Sequence, residues 1–399
     1  MNTIKVTYLA TADARGHLMR AQLLTHALRE YGADVDVLTT SDEGVAFLAG
    51  FGITAHVLSH HYAVQFDTRQ NMLPAETDAK IANYLFRPSR MCRDIMQLRV
   101  ALRSADLIIN DSFHPALLFM GCMPAWRGKV VHVYGASLRQ VVQNNFSGRL
   151  PAILSRLFHR IVGWQINASL ARIEHDFSYE ATRDGTTFRL PTPVVVAALF
   201  DAAVPRPQAC AAVYLNPHFR DPCLADGVET GLGLAGMHAT LVGEGYAGRA
   251  RWQAQDADWV RQAAASNLIV SAPGMAALSV ALVYGRPIVL VLTEQPEQKI
   301  NAARAAALGL AHRIVVWRGD AAAFAQDLCS ACADLLQSAP TLPAQDGRAV
   351  AGARLQSWVA VLYELAKRSV QQLGVHHEPP ITSAPHHDQQ SARTTRHRT

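Results

Sequence analysis

The sequence predicts an α/β protein of two tandem domains, each a parallel sheet with helices on both faces, and three features carry that prediction. Short apolar runs of strand type alternate with segments of helical period. The alternation breaks at a proline-punctuated stretch and then starts again. In the second half an apolar run ends at a glycine turn that leads into a helix-length segment, the arrangement in which open α/β sheets bind ligands beyond the carboxyl ends of their strands. With 399 residues the chain is long enough for two separate cores.

In chain order, strands are predicted at Lys5–Ala10, Val35–Thr39, Leu107–Asn110 and Val130–Val133, with helices at Leu18–Glu30 and Asp94–Ser104. These belong to a first domain, residues 1–190. Prolines fix φ and remove an N–H, so the run from Leu190-Pro-Thr-Pro193 to Val204-Pro-Arg-Pro207 reads as a linker over 191–207. A second domain, 208–345, has strands at Ala211–Leu215, Ala239–Gly243, Leu268–Ser271 and Ile288–Leu292 and a helix-like run at Ala321–Gln337. A last helix, Arg348–Gln372 within 346–373, repeats apolar residues at Val350, Leu355, Trp358, Val359, Leu362 and Leu365, which suits docking on a core. Residues 374–399 are rich in His, Pro, Ser, Thr and Arg and are expected to be disordered.

Half of the residues are hydrophobic and 17% are charged, as in an ordinary soluble globular chain. The net charge of +5 is scattered, without a Lys/Arg block interleaved with aromatics, which argues against a nucleic-acid partner. The start, MNTIKVTYLATADARGH, enters an apolar strand at once, so a cytoplasmic location is expected. Of six cysteines only Cys329 and Cys332 are close, inside a helix-like run, and they read as a core face rather than a metal or redox pair. No metal site is predicted.

Gly231-Leu-Gly-Leu-Ala-Gly236 fits GxGxxG, but a dinucleotide fingerprint must follow a strand and open a helix. Here helix-like residues precede it and a strand follows, so Gly236 reads as a helix stop. The turn Ser271-Ala-Pro-Gly274 does stand between strand and helix, where backbone N–H groups and the helix dipole favour an anion. His17, at the start of the first helix, sits where a proton acceptor or a helix cap is equally at home. Asp111, after the strand Leu107–Asn110, suits either orientation of His17 or capping of the next helix. Gly243, in Leu241-Val-Gly-Glu-Gly-Tyr246, permits close backbone approach. Trp252 offers either a stacking face or packing, and the loop Glu294-Gln-Pro-Glu-Gln-Lys-Ile-Asn301 gathers groups able to hold hydroxyls or to start a solvent-facing helix. Leu150–Ile173 mixes apolar residues with Arg156, His159, Arg160 and Arg172 and has no acid: either a membrane-surface helix or a buried helix with a basic end.

Together these segments resemble GT-B glycosyltransferases, in the branch of the UDP-glycosyltransferases and the cell-wall N-acetylglucosaminyl transferase that acts on a polyprenyl-linked acceptor. Gly16-His17-Leu-Met-Arg20 is similar to a Gly-His-x-x-Arg form of the family, and Asn110-Asp111-Ser-Phe113 to the segment whose Asp orients the catalytic His. Trp252-Gln-Ala-Gln255 resembles the Trp-x-Pro-Gln start of the donor box, and Glu297-Gln298-Lys-Ile-Asn301-Ala302 its Glu-Gln-x-x-Asn-Ala end. The likeness spans about residues 1–340 in order and spacing. It implies two Rossmann-like domains facing across a cleft and an inverting, metal-independent transfer of sugar from a nucleotide-sugar, a UDP-sugar by this likeness, to a hydroxyl acceptor, a lipid or small molecule. No cofactor beyond the donor co-substrate is implied. His17 would be the base and Asp111 its partner, with Arg20, Gly243, Trp252, Gln255, Ser271, Gly274, Glu297 and Gln298 around the donor. The chain departs from the family at Ala272–Ala277, and at Val280, where a ribose-binding carboxylate is expected. Such a partner contributes about 1.5–3 kcal/mol, leaving Glu294 or Glu297 to substitute. A nucleotide-sugar epimerase of the same build and a non-catalytic nucleotide-sugar-binding partner are the competing readings.

Overall fold

The computed structural model describes residues 3–12, 15–58, 87–111, 114–136, 152–197, 209–293, 296–338 and 347–375, with 73, 76, 79, 80 and 83. The first domain runs β1 (Lys5–Ala10), α1 (Arg15–Glu30), β2 (Asp34–Thr39), α2 (Asp42–Ala49), β3 (Ala55–Val57), α3 (Pro88–Ala101), β4 (Leu107–Asp111), α4 (Pro115–Met120), α5 (Pro124–Arg127), β5 (Val130–Gly135), α6 (Ala152–Ala168), β6 (Ala171–Asp176), β7 (Thr182–Asp184) and β8 (Thr187–Pro191). The second runs β9 (Cys210–Leu215), α7 (Pro222–Leu234), β10 (His238–Gly243), β11 (Trp252–Gln253), α8 (Trp259–Ala265), β12 (Leu268–Ser271), α9 (Met275–Val283), β13 (Ile288–Leu292), α10 (Pro296–Ala307), β14 (His312–Val316) and α11 (Ala321–Ser338). The last helix is α12 (Gly347–Val375).

The first sheet has the order β3-β2-β1-β4-β5-β6-β8-β7 and is parallel except for the β7–β8 hairpin. The second, β11-β10-β9-β12-β13-β14, is parallel throughout. Each reverses direction of winding once, at β1/β4 and at β9/β12, and a crevice opens at such a switch point beyond the strand ends. The central strands β4 and β13 are buried along their whole length, which explains the unbroken apolar run of β13 and the apolar Leu107–Ile109 that opens β4.

Side-chain alternation divides each core. In β1, Val6, Tyr8 and Ala10 join Leu18, Leu24 and Leu28 of α1 on one face, while Leu9 joins Leu98, Ile108 and Leu117 on the other. The first of these cores also receives Trp358, Val359, Leu362, Leu365 and Ala366 of α12, so the C-terminal helix returns to dock on the first domain. In the second domain α7 and α11 cover one face and α8, α9 and α10 the other. Gly227 and Gly231 let α7 lie close on α11: a Cβ at 231 would stand 2.8 Å from the Ala325 carbonyl oxygen. Gly236, just past the C-cap Ala235, has φ +66, so the glycine-rich motif is a packing face and a helix stop.

Several boundaries differ from the sequence reading. Leu150–Ile173 is not one helix: α6 ends at Ala168, Ser169 donates to the Ile166 and Ala171 carbonyls, and Arg172 lies in β6, paired with β5. Strand β6 escapes a hydrophobicity scan because its buried residues include Glu174, His175 and Asp176. The segment Glu294–Asn301 is mostly helix rather than loop, since α10 starts at Pro296, with proline in its favoured first position. After β8 the linker runs along the second domain, where Val194 and Ala197 join its core and the Tyr284 hydroxyl bonds Val195 O at 2.7 Å and Ala197 N at 2.8 Å. Residues 198–208, which hold the rest of the expected linker, and the tail 376–399 lie outside the described residues. All six cysteines are free, and Cys332 is buried in the α11 core face.

Candidate active site

Strand parity builds the first half of the site. Ala10 of β1 pairs with Asp111 of β4, and Tyr8 with Ile109, so Tyr8 and Asp111 point to the face that α1 covers. His17 and Arg20, three residues apart on α1, share one side of the helix and meet them there. Asp111 is fully buried and accepts from Tyr8 Oη at 2.7 Å, Arg20 Nε at 2.8 Å, Arg20 Nη2 at 2.5 Å and His17 Nδ1 at 2.9 Å. It is not a helix cap; His114 caps α4. Burial alone would raise the Asp111 carboxyl, but the Arg20 guanidinium and His17 hold it well below the usual carboxylate range. Burial and the Asp111 charge push the Tyr8 phenol upward, so it stays protonated and donates.

The His17 Nδ1 also lies 2.8 Å from Arg20 Nη2. Arginine only donates and an ionised carboxylate only accepts, so Nδ1 can serve one of these two neighbours in each tautomer, never both at once. With its proton on Nδ1, His17 donates to Asp111 and leaves a lone pair on Nε2, the form a general base requires. The side chain is 22% exposed, whereas Asp111 behind it is sealed. His175 of β6 completes the buried surroundings: its Nδ1 meets Thr192 Oγ1 at 3.0 Å, its ring lies near Trp358, and burial with Arg20 nearby keeps it neutral.

The second half lies at the carboxyl edge of the other sheet. Ser271 ends β12 and donates to the Tyr214 carbonyl at 2.8 Å. Gly274 is the N-cap of α9, is exposed, and has nothing within 4 Å of where a Cβ would stand. Asn301 of α10 fixes this turn by donating to the Pro273 carbonyl at 2.9 Å, and it is 1% exposed. The Gly274 N–H is turned back onto the Ala272 carbonyl at 2.7 Å, and no side chain caps the first turn of α9, an open helix start suited to an anion. Gln298 is buried, with Oε1 accepting from Thr293 N at 2.7 Å while Nε2 has no hydrogen-bond partner. The Glu297 side chain, Glu294, Ser112 and Phe113 lie outside what is described.

The two edges meet. Arg15, at the start of α1, forms a two-bonded ion pair with Glu244 in the 3-10 turn after β10, with Nε 2.5 Å from Oε1 and Nη2 on Oε2. Gln255 also reaches the first domain, its Nε2 3.0 Å from the Cβ position of Gly50 at the end of α2. His17 thus stands about one helical half-turn from a contact that joins the first domain to the turn after β10 of the second.

Three expected donor residues occupy other roles. Arg20 is 4% exposed and bound to Asp111, a buried counter-charge, so it is not presented to a diphosphate. Trp252 is 5% exposed, packs on Tyr246, and spends its indole N–H on Glu229 at 2.8 Å, so it is a core residue rather than an open stacking face. Gly243 lies beneath that ring: a Cβ there would be 3.1 Å from it. Val280 is 3% exposed and packs in the α8–α10 core, so that position faces away from solvent. Sequence reasoning missed Tyr8, His175 and the Arg15–Glu244 pair; strand parity pointed to Tyr8, but no local signal pairs residues 229 positions apart.

No protein-family model matches the chain, and no curated protein matches it in sequence. Solved structures do match in fold. The glycotransferase of kitacinnamycin is similar over 94% of this chain and 99% of its own, at 18% identity and a TM-score of 0.55. Spinosyn rhamnosyltransferase SpnG matches over 92% and 96%, at 15% identity and a TM-score of 0.55. The chain has the GT-B fold. CalG4, the calicheamicin glycosyltransferase, matches over 95% of this chain and 100% of its own, at 14% identity and 0.55.

Proposed function

We propose that this GT-B chain is an inverting, metal-independent glycosyltransferase that moves a sugar from a nucleotide-sugar to a hydroxyl acceptor. The observation that carries the reading is the His17–Asp111 contact at 2.9 Å, with Asp111 sealed behind a partly exposed imidazole at the cleft. His17 Nε2 takes the acceptor proton as its oxygen attacks the anomeric carbon, and Asp111 stabilises the imidazolium. The cluster is close to neutral before transfer, because Arg20 already balances Asp111. The departing diphosphate gains charge, which the N–H groups of the first turn of α9, just after Gly274, and the α9 dipole stabilise. Support comes from the structural neighbours: SpnG has been solved with thymidine diphosphate, at a TM-score of 0.53, and with spinosyn aglycone, at 0.51. The donor is a UDP- or TDP-sugar and the acceptor a small molecule or a lipid.

His17→Ala abolishes transfer in a screen of sugar nucleotides with acceptor extracts, while nucleoside diphosphate binding persists. Full transfer by that variant would remove the base assignment.

The exposed face of α6 favours an acceptor delivered at a membrane surface. Ile153, Leu157, Ile161 and Trp164 form one stripe, 75%, 52%, 46% and 61% exposed, beside exposed Arg156 and Arg160. Among the described residues no helix is long and apolar enough to cross a bilayer, so the contact is peripheral. Wild type should co-sediment with anionic vesicles and the Arg156/Arg160 double substitution should not; equal sedimentation of both removes this part of the reading.

A further inference from the structure

Arg15 belongs to the first domain yet reaches into the second. Its guanidinium lies over the Phe47 ring, 5.0 Å from the centroid, and the side chain is 9% exposed. Nε and Nη2 are both taken by the Glu244 carboxylate, but Nη1 is buried with no hydrogen-bond partner. A guanidinium has five donors in a rigid fork, so a single carboxylate leaves this one short of acceptors. An anion with more oxygens in the same planar reach, a phosphate, takes the fork and supplies the missing acceptor.

The surroundings match such a ligand. Glu244 follows Gly243, which pairs with Leu215 at the end of β9; Ser271, which leads to Gly274, pairs with Tyr214 one residue earlier. Strands β10 and β12 flank β9, so Glu244 and the open start of α9 leave the sheet about 10 Å apart, two strand spacings. One diphosphate with its sugar spans that interval. Bound there, it would face the Glu244 carboxylate with like charge and displace it from Arg15.

We propose that Arg15 is a binding residue for the diphosphate of the nucleotide-sugar donor, and that Glu244 is a placeholder which neutralises Arg15 while the cleft is empty and gives it up on binding. This rests on the glycosyl-transfer reading. It differs from a plain tether between domains in one measurable way. If the pair only holds the cleft in shape, breaking it from either side weakens binding. If Glu244 competes with the ligand, the two substitutions act in opposite directions.

The test is calorimetric titration of the full chain with UDP, TDP and inorganic pyrophosphate. Arg15→Gln should weaken all three by about ten-fold or more, the loss of hydrogen bonds to a charged group. Arg15→Lys, which keeps the charge without the fork, should fall between it and wild type. Glu244→Gln should tighten binding several-fold, and Arg15→Gln/Glu244→Gln should resemble Arg15→Gln. Melting curves establish that each variant is folded, and the rise in Glu244→Gln cannot come from unfolding. Weakening by both single variants, or no change in either, overturns the placeholder role while leaving glycosyl transfer intact. A wild type that binds none of the three probes overturns both.

Discussion

The buried Arg20–Asp111 pair supports a quantitative prediction. Asp111 has no solvent exposure, Arg20 has 4%, and two bonds of 2.5 and 2.8 Å join them. Asp111→Leu leaves a guanidinium buried without a counter-charge, which costs about 3–5 kcal/mol. Arg20→Met is milder, because Tyr8 and His17 still donate to the carboxylate. The double variant removes both charges and fills the space with apolar groups, a change that is often near neutral in buried pairs. Its cost should therefore fall below the sum of the single costs by about 2 kcal/mol, within the usual range for residues in contact. Urea unfolding of the four proteins measures the cycle, and a first-domain melting temperature should drop by roughly 2–4 °C per kcal/mol. Additive single costs, or an Asp111→Leu loss under about 1 kcal/mol, would refute the picture of a mutually dependent pair, since coupled neighbours deviate by more than that.

Two further outcomes follow from packing and burial. His132 is buried, and burial with the nearby Arg172 charge pushes its imidazole down to about 3, while His175 is also held low. The unfolded chain binds more protons at these sites below about pH 6.5, so stability falls on acidification from there toward pH 3, by about 2 kcal/mol at pH 5 for His132 alone. The urea midpoint should drop between pH 7 and 5 and drop less in His132→Gln; a flat profile for wild type contradicts this. Gly231→Ala should destabilise by about 1–3 kcal/mol, because its Cβ would stand 2.8 Å from a backbone oxygen of α11. Gly233→Ala, two residues on and with open space around it, should stabilise by about 0.5–1 kcal/mol, and thermal melts of the pair separate close packing from helix propensity.

What the sequence determined by itself is what short-range physics encodes. Strands buried on both faces and lined mostly by apolar residues stand out as apolar runs, so β1, β12 and β13 were legible to the residue. The Ser271–Gly274 turn marked an open helix start. The pairing of His17 with Asp111 was also readable, because both stand at strand ends that one parallel sheet brings to one edge. Other features depended on contacts between distant residues. Strand β6 carries buried charge that only its partners make tolerable: Asp176 holds Arg304 of the second domain at 2.6 Å. Arg20 and Trp252 read as ligand residues by motif, yet a buried carboxylate claims one and a hydrophobic core the other. The Arg15–Glu244 ion pair needed both domains in place. Backbone propensity and hydrophobic period act over a few residues and survive in the sequence, whereas the charge or ring that meets a given side chain is chosen by how two sheets and a returning helix come together.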